Sequence, residues 1–150
     1  MTRALLAVGA LLALAFLILG LVVFVTRRED RVAVDNVLAE NLTRAIGTAD
    51  ARDGEIDLAR VAPFQWDRVF VVQPGTARED VSAALGTEYK GDLPFASFGA
   101  VFVFARGNAL ARFADYRGRA TFAGFEEPID ALARPRARLT VRDMVVSPAG

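Results

Sequence analysis

The most prominent hydrophobic pattern in the chain is an uninterrupted apolar stretch near its amino terminus. Residues 4–25 contain no charged or hydrogen-bonding side chain, and two glycines are the only breaks among the hydrophobic residues. As an α-helix this stretch would be about 33 Å long, enough to cross a hydrocarbon core of about 30 Å. Because a lone lipid-exposed segment must satisfy its own backbone polar groups, we predict a transmembrane helix that holds the chain in a lipid bilayer.

A cleaved signal peptide is the main alternative to this anchor. Arg3 supplies a short positive region, and Ala13-Leu14-Ala15 resembles a cleavage site. Cleavage there would leave residues 16–25 as an apolar terminus, which disfavours this alternative. A buried helix of a globular domain is disfavoured because the stretch has no polar face. We therefore predict an anchor with a basic flank over residues 1–30, a soluble domain over residues 31–146, and a disordered tail over residues 147–150.

Arginines flank the predicted span on both sides. Arg3 precedes it, and Arg27, Arg28 and Arg31 follow it. The positive-inside rule, taken literally, would place the domain in the cytoplasm. Short amino-terminal anchors often break this rule, so the charge pattern leaves the orientation open.

Apolar residues at helical spacing predict a helix over residues 31–46, ended by Gly47. Its apolar stripe is interpreted as a face packed on the domain's own sheet. A juxtamembrane dimer seam is the alternative, although the pattern covers barely two heptads.

Two adjacent patterns predict a strand and a helix. The apolar run over residues 68–72 predicts a strand with both faces covered. Thr76 and Glu79 have the spacing of a capping box, which predicts a helix over residues 77–85, and Gly86 is expected to end it.

A hairpin is predicted next, with strands over residues 100–105 and 109–114 around an Arg106-Gly107-Asn108 turn. Simple alternation would place Leu110 and Arg112 on one face of its second strand. Ala111 and Phe113 would lie on the other face. The first strand is apolar on both faces, and we expect internal layers to cover it, in preference to a dimer partner or the membrane.

The carboxyl-terminal patterns are shorter. A strand is predicted within residues 119–125, one helical turn over 129–133, and a strand over 138–142 that directs Leu139 and Val141 inward. The whole pattern predicts an α+β fold, with one antiparallel sheet of four to five strands packed with two helices.

Composition excludes many function classes. The chain has no Cys and no His, and its 18 basic and 18 acidic side chains balance. Disulfide frameworks, thiol nucleophiles, Ser-His-Asp triads and nearly all zinc chemistry are therefore excluded. The balanced charge argues against a nucleic-acid partner. We predict no metal, no cofactor and no small-molecule substrate.

The remaining catalytic patterns are weak. The acidic residues over positions 50–57 fail the calcium-loop spacing, because Arg52 occupies a ligand position and Gly54 comes one residue early. A Ser-Lys dyad would depend on Lys90, the only lysine. Adjacent Glu126 and Glu127 would point in opposite directions in an extended chain. We therefore predict that the protein is not an enzyme.

One candidate interaction surface consists of arginines at even-numbered positions, which would lie on the same side of an extended chain: Arg134, Arg136, Arg138 and Arg142. Such a stripe would suit lipid headgroups, an anionic polymer or an acidic protein. The alternative is that these arginines coat solvent faces and protect edge strands. The chain beyond Arg31 carries two more acidic than basic side chains, which weakens the case for a general anion binder.

A family resemblance involves the sequence Phe64-Gln65-Trp66-Asp67-Arg68, followed by a turn at Pro74 and Thr76 and a helix ending in Leu85-Gly86. This pattern resembles an F-x-W-D-[KR] strand motif of small exported, lipoprotein-like bacterial proteins. The resemblance covers residues 64–86 and extends more weakly to residue 113. Gly75 stands where that family usually has Tyr, and the lipobox Cys is missing.

The resemblance implies a domain outside the cytoplasm and transfers no catalytic residue. Physically, Trp66 would bury a large ring, and Asp67 with Arg68 would open a strand with opposite charges. We interpret these three residues as a structural motif.

Together these patterns predict a single-pass membrane protein, anchored through residues 4–25, with a non-catalytic binding or scaffolding role at the cell envelope. The resemblance favours an extracytoplasmic domain. An accessory subunit of a membrane complex, with a protein partner in the membrane, is one alternative. An inhibitor or immunity-type protein is another.

Overall fold

The protein is described by a computed structural model. The described residues are 14–18, 32–91, 99–126 and 128–150. The chain divides into two units, Met1–Arg31 and Val32–Gly150.

The first unit is described only over residues 14–18. These residues are helical, and their large side chains are exposed. The other residues of the predicted anchor, 4–13 and 19–25, lie outside the described residues. Among the helices that the structure describes, none is both long and apolar enough to cross a membrane.

The second unit combines helices with two sheets. Its described helices are α1 (Asn36–Asp50), α2 (Leu58–Val61) and α3 (Arg78–Leu85), and Arg134–Arg136 forms a 3₁₀ turn. Its described strands are β1 (Glu55–Asp57), β2 (Arg68–Val72), β3 (Val101–Arg106), β4 (Ala109–Asp115), β5 (Thr121–Phe122), β6 (Ile129–Ala133), β7 (Arg138–Arg142) and β8 (Val145–Pro148). The mixed α and β content is confirmed. The predicted single sheet is wrong, because the strands form two sheets of four.

The two sheets differ in strand length and in strand direction. The sheet with the longer strands, called the larger sheet, has the order β4-β3-β2-β6 and is antiparallel throughout. The smaller sheet has the order β1-β7-β8-β5, and its β5–β8 pair is parallel. Strand β2 and the β3–β4 hairpin lie where the continuous apolar runs predicted them.

The larger sheet buries both of its faces inside the domain. Phe102 and Phe104 contribute to a core that also contains α1 and the inward residues of the smaller sheet. Val101 and Val103, on the opposite face, belong to a second core that includes Val81 and Leu85 of α3. Internal layers therefore cover both faces of β3, as its sequence predicted.

Helix α1 begins and ends later than predicted. Asp35 caps its amino terminus and accepts a hydrogen bond from the Leu38 N–H at 3.0 Å. The helix passes through Gly47 and ends at Asp50. A Cβ atom at Gly47 would meet nothing within 4 Å, so this glycine fills no required capping position. The buried stripe of α1 packs in the domain core, as predicted.

The predicted faces of β4 are wrong for Leu110. A bulge shifts the register between the pairs Phe104–Arg112 and Ala105–Leu110. Because the extra residue reverses the alternation, Leu110 joins Phe113 on the α3 side of the sheet.

The predicted capping box is also wrong, although its helix is present. Helix α3 begins after Ala77, which makes no side-chain capping bond. The Thr76 hydroxyl instead donates to the Gln73 carbonyl at 2.6 Å and lies 3.3 Å from the Pro128 carbonyl oxygen. Gly86 ends the helix at φ +80°, as predicted.

The carboxyl-terminal predictions need three corrections. Residues 129–133 form strand β6 on the edge of the larger sheet, where pairing with β2 replaces the expected helical turn. The expected disordered tail instead continues through Pro148 in β8, because β8 pairs with β7. The strand expected within residues 119–125 is only Thr121–Phe122. The prediction for β7 is confirmed, since Leu139 and Val141 are buried.

Candidate functional site

The Trp66 side chain is part of the domain core. Its indole N–H donates to the Ala62 carbonyl at 2.9 Å, and its ring meets Phe104 edge-on at 5.1 Å between centroids. The ring is 4% exposed. Trp66 therefore joins the segment before β2 to the centre of the larger sheet.

Asp67 and Arg68 hold the turn of the β3–β4 hairpin. The Asp67 carboxylate accepts a hydrogen bond from the Gly107 N–H, and the Arg68 guanidinium donates to the Gly107 carbonyl at 2.7 Å. Gly107 has φ +58°, a conformation that glycine adopts without strain. The two oppositely charged side chains thus bind the N–H and the carbonyl of the same turn residue, Gly107.

Arg134, the first arginine of the predicted surface, packs against the same motif. Its guanidinium lies 5.1 Å from the centre of the Trp66 ring. It also donates to the carbonyls of Phe64 and Trp66 at 3.2 and 3.3 Å. Arg134 therefore stabilises the Trp66 segment and is half-buried.

The other three arginines do not continue a stripe from Arg134. Arg136 is exposed on the 3₁₀ turn, which breaks the extended parity assumed from the sequence. Arg138 and Arg142 lie on the outward face of β7 and are exposed. Of the four predicted residues, only Arg138 borders the groove described next.

An open groove of about 590 Å³ lies between α1, β1 and α2. Its small and aliphatic lining residues are Ala45, Ala49, Ile56 and Val61. Its four basic lining residues are Arg44, Arg52, Arg60 and Arg138. Its two acidic lining residues are Glu55 and Asp57. We call this feature the arginine groove.

Part of the positive charge around the arginine groove is already neutralised. Arg44 forms an exposed ion pair with Glu40 on α1 at 2.9 Å, and Arg60 lies 3.9 Å from the Asp57 carboxylate. Arg52 and Arg138 form no ion pair with another described residue. The groove therefore has an excess of basic side chains, in a chain whose residues beyond Arg31 are net acidic.

One edge of the arginine groove is an open strand edge. The Gly54 carbonyl accepts from Val141 N–H, and Leu58 N–H donates to the Ala137 carbonyl, both at 3.0 Å. Because bonded pairs alternate along an antiparallel ladder, the backbone groups of Glu55 and Asp57 face away from β7.

Only some of these outward groups are available to a ligand. Asp57 is the N-cap of α2, and its carbonyl accepts the first intrahelical bond. The Glu55 N–H, the Glu55 carbonyl and the Asp57 N–H therefore face the groove. They provide two backbone donors and one acceptor beside the apolar floor of the groove, which consists of Ala45, Ala49, Ile56 and Val61.

Two acidic residues near the groove have structural roles. Asp57 caps α2 through the Ala59 N–H, and Asp50 accepts from the Met144 N–H at 2.6 Å. Among the described residues, no group of three or more acidic, His or Cys side chains could hold a metal ion. Two acids of the failed calcium motif, Asp50 and Asp57, therefore bind backbone N–H groups of the domain.

The nucleophile candidates also make structural contacts. The Ser82 hydroxyl donates to the Arg78 carbonyl and accepts from the Tyr89 N–H. Burial raises the pKa of the Tyr89 phenol, although nearby Arg78 acts in the opposite direction. A neutral, buried phenol is a poor nucleophile.

The shortest ion pair between described residues lies away from the groove. Arg112 donates to the Asp35 carboxylate at 2.8 Å. Burial alone would raise the pKa of Asp35. The hydrogen bond from Leu38 and the charge of Arg112 outweigh burial and leave this pKa below its ordinary value of 3.8. This pair joins the start of α1 to β4 and stabilises the fold.

Sequence reasoning missed most of the arginine groove. Arg44 lies on α1, Arg52 lies in the turn that follows α1, Arg60 lies on α2, and Arg138 lies on β7. Residues so distant in sequence share no local spacing. Arg52 also lies beyond the end of α1, so it shares no helical face with Arg44.

No protein-family model, curated protein or solved structure matches this chain. The resemblance drawn from residues 64–86 therefore stays an expectation. The arginine groove has to be interpreted from its own geometry.

Proposed function

We propose that the protein is a single-pass membrane protein whose α+β domain binds or scaffolds a protein partner at the cell envelope, without catalysis. The anchor in this proposal is the apolar stretch over residues 4–25. The observation that carries the binding role is the arginine groove, where Arg52 and Arg138, which form no ion pair with another described residue, lie beside an apolar floor and an open strand edge.

A non-catalytic role agrees with the chemistry of the described residues. The serine and acidic side chains with described contacts cap helices, bind backbone groups or form ion pairs, and the Tyr89 phenol is buried. A binding surface needs none of the converging acid, base and nucleophile that an active site requires.

The accessory-subunit alternative uses the same surface with a permanent partner. Crosslinking in native membranes separates the two ideas. A stoichiometric larger partner supports the subunit role, whereas a chain that crosslinks to several partners in small amounts supports a binding module.

An inhibitor or immunity-type role gains no support from the aromatic residues. Such a protein would present exposed aromatic rings to plug a partner's cleft. Every aromatic side chain described within Val32–Gly150 is buried or half-buried. We therefore do not favour this alternative.

The proposal is tested in two steps with the full chain. Alkaline carbonate extraction should leave the chain in the membrane pellet, and release into the supernatant would refute the anchor. Affinity capture in gentle detergent should then recover a partner with the wild-type chain. The partner should be lost with Arg138→Glu and kept with Arg142→Glu, since Arg142 lies on the same strand outside the groove. Equal recovery with all three chains would refute the binding role of the groove.

The side of the membrane needs its own measurement. A reporter fused after Gly150 should be active only when it is exported, because the proposed domain lies outside the cytoplasm. Activity of a cytoplasm-specific reporter would refute that placement and leave the anchor untouched.

A further inference from the structure

We propose that the arginine groove binds an extended acidic peptide segment, which adds as an extra strand to the open edge of β1. This inference deepens the proposed binding function by naming the chemistry of the partner. It depends on the groove alone and does not depend on the anchor.

The backbone of β1 provides the pairing groups. An incoming residue opposite Glu55 can donate to the Glu55 carbonyl and accept from the Glu55 N–H. A carbonyl two residues away along the peptide can accept from the Asp57 N–H. Such main-chain pairing is the basis of peptide recognition by strand addition. A three-residue edge spans about 10 Å, so only a short part of the peptide would pair.

The side chains around this edge select for acidic residues. Arg52 and Arg138 have no ion-pair partner among the described residues, and they border the groove from the turn that follows α1 and from β7. Successive side chains of a strand point to opposite faces. A peptide with alternating acidic and apolar residues could therefore direct its carboxylates at the arginines and its apolar side chains at Ile56 and Val61.

The observations favour a peptide over an anionic lipid headgroup. A headgroup would use the arginines but would leave the apolar floor and the backbone groups of β1 without a role. A peptide uses the basic rim, the apolar floor and the strand edge together. The lipid is accordingly an outcome that the experiment has to separate.

A second open edge provides an internal control. Arg134 N–H donates to the Asp67 carbonyl at 2.8 Å, and Gln73 N–H donates to the Pro128 carbonyl at 3.0 Å. The alternation of bonded pairs therefore directs the Ala131 N–H away from β2. A proline at position 131 should block that edge without breaking the sheet.

The test uses the full chain in a non-ionic detergent and fluorescence anisotropy of a labelled eight-residue peptide that alternates Val and Glu. The wild-type chain should bind this peptide and should bind a Val-Lys version about tenfold or more weakly, because like charges repel. A Val-Glu peptide N-methylated at alternate residues should also lose affinity, since it cannot complete the ladder. Equal binding of the methylated peptide would overturn strand addition even if no protein variant were made.

Protein variants locate the edge. Glu55→Pro removes an outward N–H and should abolish binding, whereas Glu55→Ala keeps that N–H and should bind at least as well as wild type. Ala131→Pro should bind normally. Loss of binding in Ala131→Pro but not in Glu55→Pro would overturn the assignment to β1.

Charge variants and a soluble lipid complete the test. Arg52→Glu and Arg138→Glu should each weaken binding about tenfold, and Arg142→Glu should change it little. An equal loss in Arg142→Glu would indicate general charge attraction and overturn the groove as the site. If dihexanoyl phosphatidylglycerol binds in an Arg138-dependent manner and the peptide does not, the groove is a lipid site. If the chain captures a membrane partner yet binds no Val-Glu peptide, this inference fails while the proposed function stands.

Discussion

Replacing Asp35 should show how strongly the start of α1 is fixed to the larger sheet. One carboxylate oxygen accepts from the Leu38 N–H at 3.0 Å, and the other accepts from Arg112 at 2.8 Å. The Asp35 backbone N–H also donates to the Phe113 carbonyl at 3.0 Å. Asp35→Ala removes both side-chain interactions and keeps the backbone bond.

The expected cost of Asp35→Ala follows from these contacts. Loss of an N-cap residue costs about 1 kcal/mol. The ion pair contributes only about 0.5 kcal/mol, because the Arg112 side chain is 52% exposed and solvent screens the pair. We expect a total loss of about 1.5 kcal/mol, or about 1 M in the urea midpoint if the slope is about 1.5 kcal/mol per M.

Asp35→Asn separates the cap from the charge. Asparagine is as good an N-cap as aspartate, so only the ion-pair contribution of about 0.5 kcal/mol should be lost at neutral pH. The pKa of Asp35 is lowered in the folded protein, so its extra stability is present above pH 3.8 and is lost as the pH falls through the folded pKa. The difference between wild type and Asp35→Asn should therefore shrink towards zero at the lowest pH.

Urea unfolding of the full chain in detergent provides the assay. Trp66 is the only tryptophan and is buried in the domain, so its fluorescence reports the domain and not the anchor. Glu88→Gln is the control, since Glu88 is exposed. The reasoning is refuted if Asp35→Ala costs no more than Glu88→Gln. It is also refuted if the Asp35→Asn difference stays constant from neutral to low pH.

Other predictions use the same unfolding assay. Gly118→Ala should destabilise the domain by about 1–3 kcal/mol, because its Cβ would overlap the buried Tyr116 ring. Gly47→Ala should stabilise it by about 0.5–1 kcal/mol, because a helical Cβ there meets nothing. Comparable effects of the two substitutions would contradict this contrast. Asp67→Ala should cost about 1 kcal/mol through loss of the Gly107 hydrogen bond. An unchanged urea midpoint would show that the hairpin turn does not depend on that carboxylate.

The central strands were predictable because their signal is local. Strands β2 and β3 are apolar runs, and a turn that contains Gly107 joins β3 to β4. Both faces of such runs must be covered, and the two cores cover them. The local pattern of apolar and turn residues was therefore enough to predict the middle of the larger sheet and the helix that follows β2.

The missed strands have no comparable local signal. Strand β1 has three residues and only Ile56 is buried, while β6 combines Asp130 with two alanines and two larger aliphatic residues, none of them buried. Each becomes a strand because a partner strand supplies its hydrogen bonds. Pairing of this kind overrides weak local propensity. The Leu110 error has the same origin, since a bulge is a property of two paired strands.

The candidate site was less predictable than the fold. The predicted stripe of arginines requires an extended chain through Pro135, but the structure has a 3₁₀ turn there. Arg134 consequently packs on Trp66, and only Arg138 reaches the arginine groove. Its remaining arginines come from α1, from the turn that follows α1 and from α2, and their relative placement depends on the packing of α1 against the smaller sheet.

Net charge therefore gives a misleading indication of what the domain can bind. The residues beyond Arg31 are acidic by two charges, yet the arginine groove has four basic and two acidic lining side chains. At physiological salt, charges beyond about 8 Å are largely screened, so a ligand in the groove responds to its nearest arginines. Repulsion from the rest of the domain would matter only at low salt. Affinity for an acidic peptide should accordingly fall as salt is raised from physiological strength, because the local attraction is then screened as well. A salt-independent affinity would mean that the apolar floor and the strand edge alone hold the ligand.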